Sequence, residues 1–311
     1  MRSWSRPRLR KLPPKRKNPM KSGTFSPART SSKMTPDLHM HTTASDGVLS
    51  PSELVSFAAS RGVTIMAITD HDTLDGADSL RGMDMPIPVI TGVELSMADM
   101  NGLHLLGYGR TEAPELRRVV RELAEKRLTR AERMVEKLCV MGFALDYEEI
   151  RARCQGSVGR PHIARMMVEK GYVRSTEAAF DKYIGNDGPA YVPNERLTMA
   201  EALPLLLRNG FVPVLAHPAE LNKDDVTTHA LIDAWQKQGL MGVEVYHPSQ
   251  QKRSYARLDA FVRRAGLLVT GGSDYHCDDN RHGQPGSTAR YWRDAEADVE
   301  ALLAAISANA Q

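Results

Sequence analysis

Seven short apolar runs separated by helical patterns limit the architectures open to this chain more than any other feature. They occupy residues 38–41, 65–69, 89–95, 104–108, 212–216, 243–246 and 267–270. They are rich in Val, Ile and Leu, as strands buried on both faces are. Helix starts fall between them. Ser50-Pro51-Ser52-Glu53 joins an N-cap, a proline at the first helical position and a capping-box glutamate, and Thr198-Met199-Ala200-Glu201 repeats the box. Strand–helix alternation predicts an α/β fold with a parallel sheet, and seven strands predict a barrel. The alternation lapses over 111–195, where 114–142 reads as one long amphipathic helix with a charged solvent face, followed by shorter helical pieces. The chain is therefore expected to hold a first barrel part over 34–110, a helical insertion over 111–195 and a second barrel part over 196–311.

Charge separates a further segment. Of the 41 Lys and Arg, eleven fall in residues 1–33, which carry no acid; the remaining 30 face 38 acids, so the body is acidic by eight charges. Residues 1–33 also hold five prolines and few apolar side chains. A disordered basic tail is expected there, either an arm for nucleic acid or sequence upstream of a true start at Met20 or Met34. No run of 18 apolar residues is present, which argues against a membrane-spanning helix. Three cysteines are too few for a disulfide scaffold or a Cys-based zinc site, and a reducing, cytoplasmic setting is expected.

The polar residues that carry chemistry gather at the ends of the apolar runs. His39-x-His41 closes the first, with Asp46 in the loop beyond; Asp70-His71-Asp72 closes the second. Glu94 closes the third, His217-Pro218 the fifth and Asp274-x-His276 the last, while His104 opens the fourth. In a parallel barrel the carboxyl ends of the strands converge on one mouth. Residues i and i+2 of a strand share a face, so both members of each His-x-His or Asp-x-His pair can turn inward. That many carboxylates and imidazoles in one mouth predict bound cations. Imidazole mixed with carboxylate, without thiolate, suits manganese, with iron or zinc as alternatives. The number of donors calls for two or three divalent ions roughly 3.5–4 Å apart, the arrangement of phosphoester hydrolysis.

These motifs resemble the polymerase and histidinol phosphatase (PHP) superfamily. The resemblance rests on His39-x-His41, Asp46, Thr69-Asp70-His71-Asp72, Gly92-Val93-Glu94, His104, Ala216-His217-Pro218 and Ser273-Asp274-x-His276. It implies a distorted (β/α)7 barrel with a trinuclear site. One ion would take His39, His41, Glu94 and Asp274; a second would share Glu94 and add His104 and His217; a third would take Asp46, His71 and His276. Within the superfamily, Gly159-Arg160-Pro161-His162, Lys182-Tyr183 and Tyr191-Val192-Pro193 look like the stand-alone branch that removes the 3′-phosphate of nucleoside 3′,5′-bisphosphates. Members of that branch also act as 5′→3′ exoribonucleases of the RNase AM type.

The roles that follow are expectations. His217 or His276 donates a proton, and Asp72 orients a ligand histidine from behind. Arg160 grips a second phosphate, Lys182 adds charge and Tyr191 stacks on a base, so the insertion serves as a lid over a nucleotide or short RNA. No obligate protein partner is evident. A histidinol-phosphatase-like phosphomonoesterase is the alternative. An amidohydrolase would bring a bridging lysine, and no lysine ends a strand run. A nucleic-acid module without catalysis sits poorly with the acidic body.

Overall fold

The computed structural model describes residues 34–110, 112–153, 158–193, 195–278 and 283–309, so the basic segment 1–33 lies outside the described residues. Seven strands stand side by side in chain order: β1 (Pro36–Asp37), β2 (Ile65–Ile68), β3 (Val89–Ser96), β4 (His104–Gly109), β5 (Val212–Leu215), β6 (Gly242–Tyr246) and β7 (Leu268–Gly271). β1, β2 and β3 pair in parallel, as do β5, β6 and β7.

β4 departs from the all-parallel expectation, running antiparallel to both neighbours. The linker explains it. Residues 97–103 are too few for a crossover helix, and a parallel return needs a dozen or more. Met97 N donates to Leu103 O at 3.0 Å and closes the link as a hairpin.

The run foreseen at 38–41 is also shifted. Regular pairing of β1 stops at Asp37, and beyond it one backbone bond, from Thr69 N to Met40 O at 3.0 Å, is joined by side-chain bonds. Met40 N donates to Thr69 Oγ1 at 3.1 Å, and the Tyr108 hydroxyl donates to Leu38 O at 2.9 Å. On its other side this segment meets the end of β7. Leu38 N donates to Gly271 O at 3.1 Å, Asp274 N to His39 O at 2.8 Å and His41 N to Tyr275 O at 3.0 Å. These bonds carry the sheet round into a nearly closed barrel.

The helices are α1 (Pro51–Ser60), α2 (Asp75–Ser79), α3 (Pro114–Val140), α4 (Tyr147–Arg151), α5 (Arg160–Glu169), α6 (Thr176–Ala179), α7 (Met199–Arg208), α8 (Asp225–Gln236), α9 (Lys252–Arg264) and α10 (Ala295–Asn309). Both capping boxes form: Ser50 N and Thr198 N donate to Glu53 and Glu201 at 2.9 and 2.8 Å. The largest apolar cluster joins strand residues such as Val93, Leu106, Val214 and Val269 to Leu203, Val262 and Leu302 of the outer helices. A separate cluster forms within the 111–195 stretch around Met134, Leu138, Ile163, Met167, Ile184 and Val192. α3 serves both, placing Leu116 and Val120 in the first and Met134 and Leu138 in the second. No helix among the described residues is long and apolar enough to cross a membrane.

Candidate metal centre

The strand ends deliver their polar residues to one mouth. His71 lies just past β2, bridged to Glu94 of β3. His104 opens β4 opposite Ser96. Because β4 is reversed, its first residue lies at the end where the parallel strands finish. The antiparallel turn thus accounts for a histidine at the start of its strand reaching the same place. His217 follows β5, and Asp274 and His276 follow β7. Asp72, His217 and Asp274 have φ of 51°, 23° and 54°. Residues with side chains rarely adopt such angles, and this strain gathers where a site demands it.

Glu94 is fully buried at the centre. Its Oε2 lies 3.2 Å from His39 Nε2, 3.2 Å from His41 Nε2 and 3.1 Å from His71 Nδ1. Its Oε1 lies 2.8 Å from His104 Nδ1 and 2.9 Å from His217 Nε2. Asp274 Oδ1 stands 3.1 Å from His41 Nε2 and 3.4 Å from His39 Nε2. At the rim, Asp46 Oδ1 is 3.2 Å from His276 Nε2, and Oδ2 is 3.9 Å from His71 Nε2.

Among the described residues five groups of donor atoms each span 4.8 Å or less. Three are built from residues foreseen as ligands: His39, His41, Glu94 and Asp274; His71, Glu94 and His104; and His41, Asp46, His71 and His276. The other two, His39, Glu244 and His247, and Glu220, His247 and Asp274, share His247. Of the three foreseen, the first has the composition implied by the resemblance. The third adds His41 to the implied set. In the second, His71 closes the group, while His217 Nε2 lies 3.3 Å from His104 Nδ1.

Metal fits this arrangement on a direct test. His39 Nε2, both nitrogens of His41, His71 Nδ1, Glu94 Oε2, His217 Nδ1 and Asp274 Oδ1 are buried without a hydrogen bond. Orphaned buried polar atoms are costly and uncommon. Apart from His217 Nδ1, which faces Glu220 at 3.6 Å, they gather around Glu94, Asp274 and Asp46, as the donor atoms of cation sites do.

The electrostatics agree. Burial disfavours charge on His39, but Glu244, Glu94 and Asp274 overcome it and hold the imidazole well above its usual range. His41 likewise rises to about 9 against its burial, through Asp274 and Glu94. Burial pushes His71 down. Glu94 resists its own burial because His71, His39 and His104 keep it well below the ordinary range.

An outer layer of carboxylates supports the mouth. Glu244 of β6 accepts from His39 Nδ1 at 3.1 Å and from His217 N at 2.9 Å. Asp37 accepts from Ser273 N at 2.8 Å and Gly286 N at 2.7 Å. Asp70 holds the Asp46 loop through Thr42 N and Ser45 Oγ, both at 2.7 Å. Asp72, expected behind a histidine, accepts from Ser96 N at 2.9 Å and Ser96 Oγ at 3.0 Å. Sequence reasoning passed over Glu244 and Asp37. A carboxylate inside the apolar run 243–246 was the available signal for the first.

Of the insertion residues foreseen, Arg160 and Tyr191 meet one another. Arg160 Nη1 donates to Asn186 Oδ1 at 2.9 Å, and its guanidinium lies 5.6 Å from the centre of the Tyr191 ring and 5.5 Å from that of Phe180. Arg130, not foreseen, lies 5.5 Å from the Tyr191 ring and donates to Val192 O at 2.7 Å. Lys182 stands exposed on the π-helical turn Phe180–Ile184. Pro161 occupies the second helical position of α5, whose N-cap is Gly159; the Gly159 amide donates to His162 Nδ1 at 3.0 Å.

Comparisons with known proteins bear on this site. The PHP domain family matches residues 37–182. A "5′-3′ exoribonuclease" of Haemophilus influenzae is 33% identical over 245 residues, covering 77% of this chain and 89% of that protein. A "3′,5′-nucleoside bisphosphate phosphatase" of Chromobacterium violaceum is 31% identical over 250 residues, 77% of this chain and 86% of that protein. A crystal structure from Bifidobacterium adolescentis, described as a metal-dependent phosphoesterase, superposes with a TM-score of 0.64 at 27% identity, covering 88% of this chain and 97% of that one. With a barrel mouth built from buried histidines and carboxylates and relatives alike over most of its length, the chain belongs to the PHP domain family and is a metal-dependent phosphoesterase.

Proposed function

We propose that the site hydrolyses the 3′-phosphate ester of nucleoside 3′,5′-bisphosphates, giving AMP from adenosine 3′,5′-bisphosphate, and removes nucleotides 5′→3′ from short 5′-phosphorylated RNA. The names carried by the Haemophilus and Chromobacterium relatives support both substrates. The observation that carries the reading is Tyr191 flanked by the guanidinium groups of Arg130 and Arg160. A ring beside two fixed cations suits a base and a phosphate together, whereas a small phosphomonoester has no use for the ring.

His39, His41, Asp46, His71, Glu94, His104, His217, Asp274 and His276 hold two or three divalent ions in this reading, manganese being favoured over iron or zinc. Bound there, the ions acidify water at neutral pH and neutralise phosphoryl oxygens. His276 donates from Nδ1 to its own chain at Asp274 O, 2.9 Å away, which turns Nε2 toward Asp46. His217 turns Nε2 to Glu94 and its buried Nδ1 lies 3.6 Å from Glu220 Oε2, so the proton that the leaving 3′-oxygen takes up is assigned to His217 or His276, whichever is not committed to a cation. Arg160 holds the 5′-phosphate, Lys182 adds positive charge at the rim, and Asp72 steadies the β3 end through Ser96.

Product analysis tests this. Metal-loaded protein incubated with adenosine 3′,5′-bisphosphate is expected to release AMP; adenosine 3′-monophosphate instead would reverse the placement of Arg160. Arg160→Ala is expected to raise KM for the bisphosphate by about tenfold or more, the loss of a charge-assisted hydrogen bond, and to leave KM for an aryl phosphate nearly unchanged.

A further inference from the structure

β6 is the strand whose end supplies none of the nine ligands assigned above. Yet it ends in Glu244 and His247, which are 1% and 2% exposed and packed against the ligand set. Their hydrogen-bond partners fix what each can do.

A carboxylate only accepts, so Glu244, with its oxygens 3.1 and 3.2 Å from His39 Nδ1, places the hydrogen on Nδ1. In the neutral ring that ligation needs, His39 Nε2 is then left with its lone pair toward Glu94 and Asp274. The same Glu244 takes the His217 amide, tying two ligand-bearing segments to one group.

His247 works in the opposite sense. The Ser249 amide can only donate, and it lies 3.1 Å from His247 Nδ1. The Ser249 hydroxyl is 2.7 Å from the same atom. Nδ1 is therefore the acceptor and Nε2 carries the hydrogen. The backbone is pinned as well, since Tyr255 OH donates to His247 O at 2.8 Å. Nε2 is buried without a hydrogen bond and faces Asp274 Oδ2 at 3.4 Å. A nitrogen bearing hydrogen offers no lone pair to a cation. Although His247 lies close enough to His39 and Glu244 to suggest a further ion, its tautomer argues against ligation.

We propose that Glu244 and His247 are positioning residues for the ion assigned to His39, His41, Glu94 and Asp274: Glu244 sets the tautomer of His39, and His247 presents an N–H to Asp274 Oδ2 that keeps Oδ1 turned toward the histidines. The assignment rests on the metal reading. Groups behind a ligand typically alter metal affinity by about 10–100-fold.

The test is manganese titration of the metal-free full chain, with unbound Mn2+ counted by electron paramagnetic resonance. His247→Asn keeps an acceptor where Nδ1 sits and lacks the donor toward Asp274; His247→Gln keeps a donor at the Nε2 position. His247→Asn is expected to weaken one ion by about 10–100-fold and leave the others unchanged, while His247→Gln stays near wild type. Glu244→Gln, which sets an amide against either His39 or the His217 amide, is expected to weaken the same ion. Wild-type affinity in His247→Asn, or equal weakness in both His247 variants, overturns the assignment. Wild-type protein that takes up no manganese sinks the metal reading itself, and this assignment with it.

Discussion

Single residues in this mouth are held by partners that allow one arrangement. Asp37 shows how. Three backbone amides, those of Ser273, Gly286 and His39, point at its two oxygens. Burial nonetheless pushes its carboxyl up to about 6. Asp37→Asn retains the shape but sets an amide NH2 against an amide donor. It is expected to destabilise the fold by about 1–3 kcal/mol, the penalty for an unsatisfied buried group, measured by urea denaturation of the metal-free protein. Glu94→Gln acts at the other layer. It removes the negative charge and one of the two oxygens shared among five imidazoles and is expected to abolish uptake of at least one ion, read by metal analysis after dialysis. That these side chains gather at one mouth was legible, because two His-x-His or Asp-x-His pairs, Asp-His-Asp, a lone Glu and His217 all fall at the ends of apolar runs. Asp37 and Glu244 were not, because what they do depends on which amide or ring nitrogen the fold brings opposite, and spacing along the chain does not encode that.

At the level of elements, the helix caps were read from local chemistry and the direction of β4 was not. Ser50 and Thr198 cap their helices as their spacing dictates, since a capping box closes within four residues. The reversal of β4 follows from a linker too short for a crossover, a spacing already present between the runs at 89–95 and 104–108 that the parallel expectation did not use. α3 poses a further question. At 27 residues it is about 40 Å long, and it reaches from the barrel core into the separate cluster around Leu138. Arg117 is anchored to Asp78, and Glu115 meets Arg208, near its start. Leu138 is fully buried. Leu138→Ala is expected to remove about 2–5 kcal/mol from the distal cluster and to raise KM for a nucleotide. Manganese content is expected to hold, because no assigned ligand lies in that cluster. Calorimetry and metal analysis on one sample check both halves; loss of metal would show that the insertion and the barrel mouth are not energetically separate.

For the molecule as a whole, protons and cations compete for one set of nitrogens. Without metal, the carboxylates of Glu244, Glu94 and Asp274 keep His39 charged well above its usual range, and Asp274 and Glu94 hold His41 to about 9. A histidine whose folded value is raised stabilises the fold most below its unfolded value near 6.5, and loses that contribution as pH climbs through the folded value. The metal-free chain is therefore expected to melt at progressively lower temperature between about pH 6.5 and 9. Bound cations reverse the slope. Ligation needs the neutral imidazole, so manganese uptake at pH 7.5 is expected to release protons, and affinity is expected to rise toward pH 9. Each site filled at a hundredfold excess over its Kd adds about 2.7 kcal/mol. The gain in melting temperature on adding a fixed manganese concentration should accordingly be larger at pH 8.5 than at pH 6.5. Titration calorimetry in two buffers of different ionisation enthalpy gives the proton count directly. Uptake with no proton release would mean that the cations are held elsewhere than among His39 and His41.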